Sequence, residues 1–401
     1  MKRILSREMV IMIIVLGLAT LAANILQPIL PLYLTSIGVA PTILGLMVSV
    51  SMAGMILSES SWGWAADKVG QKIPLSMGTF VAGLLTLFFV WLQNIPAIFS
   101  LFFFWGLARS AVFPVGLGYL GSIAPLAKKG TFMAIFFVIL AASRSLGSLM
   151  SGFIVDSWGY DWAFFISTGI ALLGGVVVVT GLRKIRPVKP EPSVVSHSLV
   201  DKLPTSNQTY SLRSFIFQGT IATLFYLGWG ISMAFLPLLA TQVAGVGVTE
   251  VGVLFTIRGV ITMVFGIPLG MLADRRGKRN LMILALLVSA AGLVGVAFTE
   301  NFTWLIVSLI IWSLGATTFS PAAFALLSSS VPIERQSTAM GIYGGVFANV
   351  GILAGSALGG FAWTAWGPQL TFLMGTVSAV LGAVICFFTL AKDKVAKNLP
   401  P

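Results

Sequence analysis

GWAADKVGQK at 63–72 is written a second time as GMLADRRGKR at 270–279. Gly63, Ala66, Asp67 and Gly70 return as Gly270, Ala273, Asp274 and Gly277, and Lys68 and Lys72 return as Arg275 and Arg279, each 207 residues on. Trp105 and Pro114 keep that offset at Trp312 and Pro321. The register then slips by one: Gly147-Ser148 meets Gly355-Ser356, Trp158-Gly159 meets Trp366-Gly367, and Phe164 meets Phe372, all 208 apart. A period this long marks a duplicated half rather than a solenoid unit.

Each copy lies between long apolar segments and reads as a tight polar turn. Its glycines allow backbone angles and close helix approach that a side chain blocks, and its carboxylate and basic groups suit water-exposed helix ends. Of the 401 residues, 57% are hydrophobic and 9% charged, with a mean hydropathy of +0.99. A soluble domain carries about 25% charged residues, so a soluble chain is excluded. A membrane span needs about 20 apolar residues. Twelve segments meet that length: 9–34, 42–64, 73–93, 97–121, 130–155, 161–182, 213–240, 248–272, 280–299, 302–327, 336–361 and 367–391. Lipid admits only helices or closed barrels, and continuously apolar runs of this length are helices.

The net charge is +12, from 24 Lys and Arg against 12 Asp and Glu. Three arginines (Arg109, Arg144, Arg258) fall inside spans; every other basic residue lies in the N-terminal segment, in alternate connections or in the C-terminal tail. The remaining connections hold only Asp156, Asp161, Glu250 and Glu300. The positive-inside rule then predicts a multi-pass protein of the inner (plasma) membrane with both termini cytoplasmic. Basic loops facing anionic lipid account for the charge without a nucleic-acid partner. The single cysteine, Cys386, leaves no disulfide or thiolate metal site and is expected to face lipid; the single histidine, His197, falls in a polar Pro/Ser stretch. No metal or cofactor is expected, and the first span runs too long for a cleaved signal peptide.

The duplicated turn resembles signature motif A of the major facilitator superfamily, found between helices 2 and 3 and again between helices 8 and 9. The resemblance implies an all-α integral membrane protein with twelve transmembrane helices in two pseudo-symmetric six-helix halves. These are residues 1–182 and 213–401, joined by a cytoplasmic linker at 183–212 containing Pro187, Pro190, Pro192 and Pro204. Arg109 in GLARSAVFP stands where the superfamily's motif B has its arginine, with Val112 and Phe113 replacing the family's glutamine and glycine. GSLMSG at 147–152 and GSALGG at 355–360 resemble the glycine-rich motif C of helices 5 and 11. That motif has proline where Ser148 and Ser356 stand; its glycines suit close packing where the halves rock against each other.

An ionisable group at membrane depth costs at least about 2.5–3.5 kcal/mol and so carries a functional or pairing role. Arg109, Arg144 and Arg258 lie near mid-depth, and Glu59 lies one turn before Gly63. By resemblance, helices 5 and 8 face each other across the interface of the halves. Arg144 and Arg258 then either clamp an anionic group of the substrate with their planar forks, or satisfy backbone carbonyls and hydroxyls such as Ser143 and Ser145. Arg109 is assigned either a structural or gating role or a place among the substrate-binding residues. Glu59, the one carboxyl inside a span, is either the proton carrier or a helix-end residue paired with a cytoplasmic base. Asn24, Gln27, Tyr226, Trp229, Tyr343 and Asn349 complete the candidate pocket, as apolar sites with a few placed polar groups do.

The function expected is secondary active transport of a small molecule by alternating access, resembling the drug:proton antiporter branch. The motif A residues Gly63, Asp67, Lys68, Gly70, Lys72, Gly270, Asp274, Arg275, Gly277 and Arg279 would set one of the two states. With Asn24, Gln27 and Arg109 where exporters of cations keep an acid, an anionic, zwitterionic or neutral amphipath is the expected substrate. The alternative is an organic-anion or metabolite carrier. The lipid bilayer, protons and the substrate are the expected partners of a monomer. A membrane enzyme is not expected, since nucleophile, base and metal ligands do not cluster.

Overall fold

The structure, a computed structural model, describes residues 7–112, 114–116, 119, 129–182, 212–331 and 336–389, without the side chains of 129–136, 273–276, 329 and 336–338. Phe113, Lys128, Arg335, nearly all of the 183–212 linker with His197, and the C-terminal tail lie outside these residues. So do the side chains of Asp274 and Arg275.

The regular elements among the described residues are all helices. In order they are α1 (Arg7–Ser36), α2 (Pro41–Val69), α3 (Lys72–Trp91), α4 (Ile95–Arg109), α5 (Lys129–Trp158), α6 (Tyr160–Gly181), α7 (Leu212–Gln242), α8 (Val248–Arg276), α9 (Lys278–Ala297) and α10 (Phe302–Ser330). The rest is one rod: Gln336–Gly341, a π-helical stretch Ile342–Phe347, and Ala348–Thr389. It bends at Gly367, whose φ of 87° and ψ of 177° are not helical; α11 denotes the arm before the bend and α12 the arm after it. The expected gap between the last two spans is therefore no loop. Gly367 turns the chain in a single residue, and Pro368, with φ already helical, starts the next arm.

The duplication extends to the backbone. Among the described residues the glycines with positive φ form three pairs in the sequence register: Gly38 with Gly245, Gly70 with Gly277, and Gly159 with Gly367. Each pair turns the chain at the same place in its half. The chain thus folds twice by one local rule.

The halves touch through α2 against α11 and α5 against α8, again in matched pairs. Ser49 Oγ donates to the Leu353 carbonyl at 2.7 Å, and its counterpart Thr256 Oγ1 donates to the Ser145 carbonyl at 3.1 Å. A Cβ on Gly360 would come within 2.8 Å of the Pro41 carbonyl, and one on Gly152 within 2.6 Å of the Val248 carbonyl. Gly147 and Gly355, the other conspicuous glycines of this motif, pack instead inside their own halves, against α1 and α7. Small residues let backbones approach where burial of apolar surface offers no drive between helices in lipid.

Packing differs between the two ends of the bundle. At the end carrying the α1–α2 and α7–α8 turns, one apolar core runs through both halves, from Leu26 and Leu44 to Phe235 and Leu254. Towards the termini it divides into separate cores, one around Leu16 and Leu75 and one around Phe225 and Phe319. The halves are joined at one end and parted at the other. Cys386 is fully buried in the second of these divided cores, which corrects its expected lipid-facing position.

Candidate functional site

Where the single core divides, a cavity of about 290 Å³ opens between the halves. Arg109, Arg144, Arg258, Asn24, Gln27 and Trp229 all line it. They come from α4, α5, α8, α1 and α7, so only the assembled bundle gathers them. Ser145 and Gly259 meet across the α5–α8 contact, which brings Arg144 and Arg258, one residue earlier in each helix, to the same opening. No Asp or Glu is among the described residues that line the cavity.

Arg258 is 8% exposed, and its Nη1 has no hydrogen-bond partner. Its guanidinium carbon lies 4.3 Å from the Trp312 ring centroid, 4.7 Å from Trp229 and 5.2 Å from Phe255. A desolvated cation–π contact contributes about 2 kcal/mol, so these rings offset part of the cost of burying the cation. They leave its in-plane donors unspent. Arg109 lies 4.6 Å over Trp105, the sequence counterpart of Trp312. Arg144 is exposed to the cavity. Among the described residues, no hydrogen bond or ion pair engages any of the three arginines, and Ser145 Oγ, one of the hydroxyls considered for Arg144, donates instead to the Ala141 carbonyl at 3.0 Å.

A second chamber of about 610 Å³ extends from the same place toward the termini, between α5, α8 and α10. Arg144, Trp229, Arg258 and Thr262 line both spaces and form the waist between them. Tyr226 belongs to this second chamber, beside Ser320. Tyr343 and Asn349 line neither. Tyr343 is buried 5.4 Å from Phe324 in the second half's own core, and Asn349 Nδ2 donates to the Gly345 carbonyl at 2.8 Å, inside the π-helical stretch. Sequence reasoning missed Trp312, Trp105 and Phe255 as cation partners. The first two were visible as an in-register tryptophan pair, with Arg109 one turn beyond Trp105.

Glu59 lines neither chamber. Its carboxylate lies against the backbone of Gly345 on α11, where an added Cβ would sit 3.0 Å from Oε2. No ion pair to it is present among the described residues. Of the duplicated turn, Asp67 and Lys68 are exposed, with Lys68 Nζ 3.9 Å over Trp64. Gly63 has open space beside it, as does Gly270 apart from Pro321 at 4.0 Å. Gly70 and Gly277 make the turns, and Lys72 begins α3. Arg279 departs from its counterpart Lys72: it is 5% exposed and reaches the carbonyls of Cys386 and Phe387, bonding α9 to α12.

Two repeated six-helix halves around a cavity that holds three arginines, joined at one end and parted at the other, define a membrane transporter. The sequence profile of the Major Facilitator Superfamily matches residues 12–218 and again 218–401, and the chain belongs to that family. It is 22% identical over 379 residues to an uncharacterized MFS-type transporter of Methanocaldococcus jannaschii, covering 93% of this chain and 95% of that one. It is 25% identical over 389 residues to the multidrug resistance protein MdtG of Escherichia coli, covering 93% and 92%. The crystal structure of the nucleoside transporter NupG (D323A mutant) shares the fold with a TM-score of 0.78 at 13% identity, covering 94% and 98%. The protein is thus a multi-pass membrane transporter of the superfamily, whose members carry small molecules rather than catalyse reactions.

Proposed function

We propose that the chain exports an amphipathic anion by alternating access, coupled to protons, as a monomer in the inner (plasma) membrane with both termini cytoplasmic. The observation that carries the anion reading is the cavity lining: among the described residues, three guanidiniums, no carboxylate, and unspent donors on Arg258. Like charges at this depth repel in a low dielectric, and an anion between Arg144 and Arg258 relieves that repulsion through their planar forks. Efflux rests on the likeness to MdtG. With the termini cytoplasmic, the parted end faces the cytoplasm, the state that loads a substrate for export. An uptake carrier for an organic anion would use the same cavity in the other direction.

Glu59 is the proton-carrier candidate. It stands against Gly345 of the other half, toward the parted end, so its charge state would bias separation of the halves.

The test is transport in proteoliposomes under an imposed proton gradient, together with anion-induced thermal stabilisation, which follows mass action. Glutamine at both Arg144 and Arg258 should abolish both while the fold persists. Stabilisation by hydrophobic cations alone would overturn the anion reading. Glu59→Gln should uncouple transport from the gradient; if that variant still concentrates substrate, Glu59 is not the carrier.

A further inference from the structure

The second chamber has a composition of its own. Besides the two waist arginines, Tyr226 is the sole titratable residue among its described lining residues, and toward the termini the wall becomes Phe137, Val138, Met263, Ile267 and Phe324. Several of its hydroxyls are already engaged: Thr262 Oγ1 donates to the Arg258 carbonyl at 3.0 Å and meets Thr317 Oγ1 at 3.2 Å. Ser313, next to Trp312, keeps an unpaired buried hydroxyl. The end of this chamber toward the termini is an apolar wall, of the kind that buries the apolar part of a ligand. On α8 the chamber runs from Arg258 to Ile267, about 13 Å at the helical rise.

We propose that this chamber is the tail site for a single-chain amphipathic anion, its anionic head at the Arg144–Arg258 waist and its alkyl chain lying along α8 toward Met263 and Ile267. The inference rests on the anionic reading above and adds the shape of the substrate. Two features favour one ligand spanning both spaces. The waist residues belong to both chambers, so a head bound there has the apolar space as its continuation. The rings that contact Arg258 (Trp229 and Trp312) also form the chamber's inner wall, which puts aromatic surface beside the path from head to tail.

Gly266 supplies the means of testing this. It lines the chamber, and a Cβ added there meets nothing within 4 Å. A side chain at 266 therefore starts into open space, and a larger one is expected to reach into the tail site.

The experiment is binding of n-alkyl carboxylates of increasing length to the full chain in lipid nanodiscs, with free ligand measured by equilibrium dialysis. Affinity should rise about fourfold per methylene, the transfer free energy of a buried methylene, and then reach a plateau. n-Alkanols of the same lengths should bind at least tenfold more weakly. Gly266→Phe should bring the plateau to shorter chains while the shortest carboxylates bind unchanged, and Gly266→Leu should fall between. Arg258→Gln should weaken every length by one common factor. Short carboxylates that bind with no dependence on chain length would overturn the tail site and leave the anionic reading standing. Binding of n-alkylammonium ions in place of the carboxylates would overturn both.

Discussion

The two halves are alike where they touch and unlike where they face the cavity. Ser49 and Thr256, Gly45 and Gly252, Gly152 and Gly360 are pairs in the sequence register, and each pair makes matching contacts across the interface. Thr42 meets Thr364, and its counterpart Thr249 meets Asp156, the residue aligned with Thr364. The charged positions break the register. Arg109 aligns with Ala316, Arg144 with Ile352, Arg258 with Ser51 and Glu59 with Gly266. A rocking interface works best when both sides yield alike. A binding site needs different groups on its different walls, since a second copy of each arginine would only add repulsion.

The largest expected effect breaks the unlike set. Arg258→Gln should lower anion affinity at least about thirtyfold, the lower bound for truncating one partner of a buried charge contact, with unchanged melting in the absence of ligand. Placing arginine at the aligned Ser51 should not restore it, because α2 and α8 present that position from opposite walls. Ligand titration by thermal shift reads both.

Next comes the pair that has diverged within the duplicated turn. Arg279→Ala removes charge-assisted bonds to the α12 carbonyls, each contributing about 1.5–3 kcal/mol, and should lower thermal stability clearly. Lys72→Ala should leave it nearly unchanged, as surface substitutions do. Equal losses would mean that the two turns still do the same structural work.

The matched pairs should respond as pairs. Gly45→Ala and Gly252→Ala each drive a Cβ into a backbone carbonyl of the other half, at an expected cost of about 1–3 kcal/mol. Either should shift the equilibrium toward the state parted at that end, by similar amounts, as read by labelling of introduced cysteines. The smallest effect lies at the rim. Asp156→Ala should weaken that closure by about 1 kcal/mol more than Thr364→Ala, since a bond to a carboxylate is stronger than one between hydroxyls.

The sequence by itself determined the duplication, the number of spans and the residues that carry charge at depth. The reason is local: apolar length selects a membrane helix, a glycine with positive φ marks a turn, and both are written contiguously. Arg109, Arg144, Arg258, Asn24, Gln27 and Trp229 could be picked from depth alone, and all line one cavity. Tyr343 and Asn349 were picked on the same grounds and do not, because depth says nothing about which face of a helix a residue occupies. Only the tertiary structure decided that question. It placed Arg258 among three rings, turned Arg279 inward against α12, buried Cys386, and joined the arginine cavity to an apolar chamber. Each of these depends on how helices distant in sequence rotate and cross, and packing between helices, not the order of residues along one of them, sets that rotation.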